Sequence, residues 1–111
     1  MATIKAPFGA SDTLTIAATG TTTATITNMK TTTTALTTLT GNGTLDLTLS
    51  SELKVGAELF IKVKTTGSET FTFGTGIDAP VVTGSAGKTW CQGFWYDGTI
   101  FLPMGAKIQI D

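Results

Sequence analysis

The chain has no histidine and no arginine, one cysteine, one tyrosine and three prolines in 111 residues, and only 14% of its residues are charged. Each shortage excludes something. Without histidine, the side chain that most often moves protons near neutral pH is missing, and without arginine so is the planar fork that grips phosphates. Cys91 has no partner for an internal disulfide, so stability must come from packing or assembly, and nothing requires an oxidising compartment. The seven cations, all lysines, are scattered along a chain of net charge −1. That leaves no basic stripe for nucleic acid and no polybasic cluster for a membrane. No segment is apolar for long enough to span a bilayer, and MATIKAPFGASD at the N-terminus lacks the apolar stretch of a signal peptide.

What the chain does have is threonine, about a quarter of all residues, far above ordinary usage. It alternates with aliphatic residues in TLTIAATG, TTTATIT, TALTTLT and TLDLTLS. Threonine is β-branched and stiff at χ1, which favours pleated strands over helix. The pattern predicts strands whose outer face carries hydroxyls in place of charges. A mean hydropathy of +0.25 with so few charges is unusual for a freely dispersed monomer, because charge normally keeps apolar surfaces apart. The composition therefore points to a scaffold or contact surface, with no catalytic residue, cofactor or metal expected.

One domain suits this length. Met1 to Asp12, with Pro7 and Gly9, reads as an N-terminal arm, and residues 13–111 as a single β-sandwich domain. Strands are predicted over Thr13–Ile16, Thr21–Thr27, Thr34–Thr40 and Leu45–Leu49. Gly41-Asn42-Gly43 is expected to make a hairpin turn, and Ser50 or Ser51 to cap one helical turn. The clearest strand is Glu58–Lys64, with Leu59, Ile61 and Val63 inward and Phe60 on the outer, otherwise charged face. Thr66-Gly67-Ser68 then predicts a hairpin into ETFTF. Thr89–Tyr96 carries Trp90, Phe94 and Tyr96 on one side and Cys91 and Trp95 on the other, and Asp97-Gly98 turns it back into Thr99–Leu102. A short strand over Lys107–Ile110 ends the chain. About eight to ten short strands separated by turn signals predict an all-β fold, an antiparallel sandwich or barrel with jelly-roll topology among the options.

Most of the chemistry-like motifs reduce to turns. Gly84-Ser85-Ala86-Gly87-Lys88-Thr89 resembles the end of a phosphate loop, but the first glycine is missing and an aromatic strand follows where a helix N-terminus is needed. Asn42-Gly43-Thr44 and Gly74-Thr75-Gly76 likewise read as turns or places of close backbone approach. Cys91 has no histidine to activate it and reads as a buried small residue. The carboxylates are dispersed, and most look like turn or exposed strand residues.

The aromatics carry more information. An antiparallel strand with large apolar groups on both faces needs cover on both, and a small sandwich has one core. Phe60 and Trp95 are therefore the candidate subunit contacts. From Thr40 to Met104, the succession TLTGNGTLDL, VGAELFIKVKTTGSETFTFGTG and AGKTWCQGFWYDGTIF resembles the small β-rich modules of tailed-bacteriophage virion surface proteins, both capsid decoration proteins and fibre components. The resemblance implies homo-oligomeric assembly, commonly as a trimer. It also implies attachment to the major capsid protein or another virion protein, a place on the phage head surface after synthesis in the host cytoplasm, and no catalytic residues. On this reading the chain is a capsid decoration or cementing subunit whose arm, with Ile4, Lys5, Pro7 and Phe8, binds the shell. The alternative is a fibre or carbohydrate-binding host-recognition module, with Trp95 or Tyr96 as a stacking platform.

Overall fold

A computed structural model describes residues 11–33 and 36–111. Among them there are eleven strands and no helix: β1 Ser11–Leu14, β2 Gly20–Ile26, β3 Lys30–Thr33, β4 Thr37–Leu39, β5 Gly43–Leu49, β6 Glu58–Thr65, β7 Thr70–Phe73, β8 Val82–Thr83, β9 Thr89–Tyr96, β10 Phe101–Pro103 and β11 Ile108–Gln109. They form two open sheets, a front sheet of seven strands and a back sheet ordered β2-β5-β7-β8. In the front sheet β1, β3, β6, β9 and β10 are successive neighbours, β4 shares the edge of β6 with β3, and β11 shares the edge of β9 with β10. The all-β sandwich expected from the sequence is present, and neither sheet closes into a barrel.

Strand sense is mixed where the sequence suggested antiparallel pairing. The chain passes from sheet to sheet, β1 to β2, β3 and β4 to β5, β6 to β7, so that each new strand lies beside its predecessor in the same sheet and runs the same way. Ser11, Lys30 and Glu58 fall in line in front, and Gly20, Gly43 and Phe71 in line behind. The result is three stacked coils of unequal length, in place of jelly-roll topology. The Gly41–Gly43 and Thr66–Ser68 turns are accordingly corners between the sheets and not hairpins. Asn42 fastens its corner to two coils: its carbonyl accepts from Gly20 N–H at 3.0 Å, and its side-chain Oδ1 from Thr70 N–H at 2.9 Å. Ser50 does accept from Glu52 N–H at 3.2 Å, but only a turn follows before Gly56, at φ +94°, leads into β6.

The last quarter of the chain closes the stack antiparallel. β9 lies along β6 from Glu58↔Trp95 to Lys64↔Thr89, and returns through Asp97–Ile100 to β10, the one hairpin legible in the sequence. Asp97 Oδ1 accepts from Thr99 and Ile100 N–H at 2.8 and 2.9 Å, and Gly98 takes φ +106°.

Between the sheets, inward side chains grow along two of the rows. Thr22, Leu45 and Phe73 share one row in the back sheet, and Thr31, Leu59 and Phe94 one row in front. All six are buried. The aromatic end is tied by Phe71 against Phe73 and Trp90, with ring centroids 5.3 and 5.8 Å apart, and by Phe73 against Phe94 at 5.0 Å. The outer side of the back sheet keeps its hydroxyls, with Thr21, Thr44 and Thr72 side by side.

Candidate assembly surface

The outer face of the front sheet carries the surplus apolar side chains. In β6 and β9 the two-residue period sends Leu59, Ile61, Val63, Trp90, Phe94 and Tyr96 into the core. It therefore sends Phe60 and Trp95 out, where they are 38% and 39% exposed. Phe60 stands opposite Gly93. A Cβ at Gly93 would lie 3.1 Å from the Phe60 ring and 3.5 Å from Met104 Sδ, so the glycine makes the trough in which both rest. Met104, Ile108 and Ile110 are exposed beyond them. Phe60, Cys91, Met104 and Ile108 line a shallow cavity of about 330 Å³ on this face. Cys91, expected to be buried, is half-buried there, because it lies on the outer face of β9.

β9 is flanked at one end by β10 and at the other by β11, leaving the Met104–Lys107 loop opposite its middle. Met104 N–H bonds the Gly93 carbonyl at 2.9 Å, and the buried Gln92 side chain donates from Nε2 to the Gly105 carbonyl at 2.7 Å. Gln92 Oε1 is buried with no hydrogen-bond partner among the described residues. A second cavity, of about 350 Å³, opens at this edge between Pro80–Val82 and the loop, with Gln92 in its wall. Sequence reasoning passed over Gln92, Met104 and Ile108. The available signal was a glutamine at an inward position between Trp90 and Phe94.

The remaining motifs are structural. Gly84 packs against Thr65, and Lys88 N–H reaches the Ser85 carbonyl at 3.1 Å, forming the turn that leads into β9. Gly74 abuts Asp46, and a Cβ at Gly76 would sit 2.8 Å from the Leu47 carbonyl, which is the close approach anticipated for that segment. Three carboxyls are held below their usual values by hydrogen bonds to the backbone. Glu69 is lowered first by Gly67 N–H, Asp97 by Ile100 and then Thr99 N–H, and Asp111 by Thr89 N–H, with Lys88 and Lys64 adding to the last. Each fastens a turn or a strand end. Among the described residues no group of three or more histidine, cysteine or acidic side chains could hold a metal ion. The proposed shell-binding residues Ile4, Lys5, Pro7 and Phe8 lie outside the described residues. Ser11 and Asp12, read as the end of the arm, belong to β1, and Asp12 accepts from Asn28 Nδ2 at 2.6 Å and Thr27 Oγ1 at 3.1 Å.

Comparison with models of protein families, with curated proteins and with solved structures gives no match.

Proposed function

We propose that this chain is a non-enzymatic structural protein of a tailed-phage virion, a homotrimeric subunit that decorates and cements the assembled head. The observation that carries the reading is the apolar outer face of the front sheet. The core is already complete from the inward rows, yet Phe60, Trp95, Met104 and Ile108 remain on one exposed side, as expected of a surface covered by another copy. The order of strand and turn segments that resembles phage surface modules supplies the setting. The mechanism is mass action: an oligomer that binds the assembled shell and not free capsid subunits stabilises the shell by its binding free energy. Phe60 and Trp95 serve the subunit contact, and Ile4, Lys5, Pro7 and Phe8 serve shell attachment.

Co-sedimentation with mature heads and with free capsid subunits tests this directly. Binding to heads alone, lost when residues 2–10 are deleted while the fold is kept, is the expected result; equal binding to both, or none, refutes it. The truncation stops before Ser11 because β1 begins there. The stacked parallel coils and the half-exposed indole of Trp95 favour one second reading, a fibre or host-recognition module with Trp95 as a sugar platform. Glycan-array binding that is lost in Trp95→Ala would select it.

A further inference from the structure

We propose that the free edge of β2 is a second self-association site, where two copies pair antiparallel about Thr23 and join their back sheets into one. β2 belongs to the back sheet, whereas Phe60 and Trp95 lie on strands of the front sheet, so this contact is separate from the one described above.

The edges of the molecule are unequally guarded. A free strand edge offers unpaired N–H and C=O groups to any other strand, and proteins blunt such edges with shortness, charge or proline. β8 and β11 are two residues long, β4 and β10 three, with Pro103 ending β10, and β1 four, with Asp12 among them. β2 has none of these guards. It runs for seven residues, GTTTATI, with no charge, no proline and no break in its ladder with β5.

The backbone of β2 shows what this edge presents. Gly20 N–H donates to the Asn42 carbonyl at 3.0 Å, and the Ile26 carbonyl accepts from Ser50 N–H at 3.0 Å, so the even-numbered residues face β5. Direction alternates along a strand. Thr21, Thr23 and Thr25 therefore turn their N–H and C=O groups away from β5, where no strand lies among the described residues.

A second β2 satisfies all of these groups. A two-fold axis at Thr23 overlaps all seven residues, sets Thr23 against Thr23 of the second copy and Thr21 against Thr25, and makes each a pair that exchanges both hydrogen bonds. Three N–H groups from each copy meet three carbonyls of the other, six bonds in all. The side chains agree. On the exposed face threonine meets threonine, on the inner face Thr22 meets Ala24, and no like charges oppose each other along the seam. One strand pair is small beside a lasting interface, so the contact forms where copies are crowded and leaves the mass in dilute solution unchanged.

Disulfide trapping reads the register. Residues paired in this way have Cα atoms about 5.5 Å apart, within reach of a disulfide. In a Cys91→Ser background, concentrated Thr23→Cys should oxidise to a covalent dimer, whereas Thr21→Cys and Thr25→Cys should each stay unlinked alone and cross-link when mixed. Adding Thr21→Lys and Thr25→Lys to the Thr23→Cys chain opposes like charges across the seam and should lower its cross-linking by up to about tenfold. All three positions are exposed, and circular dichroism checks that each variant is folded.

Cross-linking at Thr23 no greater than at Thr21 alone overturns the proposal, as does a mixture of Thr21→Cys and Thr25→Cys that fails to link. Trapping that ignores the two lysines also overturns it. The same cross-links should form in Phe60→Ser/Trp95→Ser; their loss there would contradict a site separate from the front sheet.

Discussion

At the residue scale β3 shows most clearly what burial costs. Thr31 is buried on the row that also holds Leu59 and Phe94, and its Oγ1 has no partner among the described residues. Replacing an unpaired hydroxyl with a methyl removes a desolvation cost, so Thr31→Val should raise unfolding free energy by about 1 kcal/mol in denaturant titrations. A loss of stability would mean that the hydroxyl finds a donor or acceptor in solution. Gly76 lies at the opposite extreme. Its φ of +80° and the Leu47 carbonyl beside the absent Cβ leave no room for a side chain. Gly76→Ala should cost about 2 kcal/mol or more, measured the same way; a neutral result would contradict the close approach.

The three lowered carboxyls give the pH dependence. A carboxyl whose folded value lies below its unfolded value of about 4 stabilises the fold above that pH, and the contribution is lost as pH falls through the folded value. Glu69, Asp97 and Asp111 all have this sign, and the chain has no histidine to add a transition near neutrality. Melting temperature should therefore fall as pH drops below about 4, less steeply in Asp97→Asn. An unchanged slope in that variant would show that the Asp97 turn does not contribute.

At the scale of elements, the stack is unequal from end to end. The row that reads Thr22 in β2 reads Leu45 in β5 and Phe73 in β7, so in that row the first coil buries the least apolar side chain. Amide exchange should be fastest in β1 and β2 and slowest in β6 and β9, the paired centre of the front sheet. Uniform protection, or earliest exchange in β9, would contradict this gradient.

The elements also mark where sequence reasoning succeeds and fails. Alternation located β6 and β9 and put Phe60 and Trp95 outside, because a two-residue period is set by the backbone alone. Asp97-Gly98 located the closing hairpin. Gly41-Asn42-Gly43 misled, because a corner between sheets and a hairpin within one sheet call for the same turn residues, and only long-range pairing separates them. The three coils escaped notice because Ser11, Lys30 and Glu58 are unevenly spaced along the chain, so no fixed repeat appears. The edge cavity was equally hidden, since Pro80–Val82 and the Met104–Lys107 loop meet only in the folded chain.

At the scale of the molecule, two sheets enclose one core and still leave an apolar side uncovered. In the proposed function, self-assembly through that side is the step on which shell binding depends. Light scattering on the native chain and on Phe60→Ser/Trp95→Ser, a double change confined to half-exposed positions, tests this most directly. The account predicts three times the 11.5 kDa chain mass for the native protein and a folded single chain for the double variant. A native protein that stays at one chain mass, or a double variant that still assembles, would contradict it.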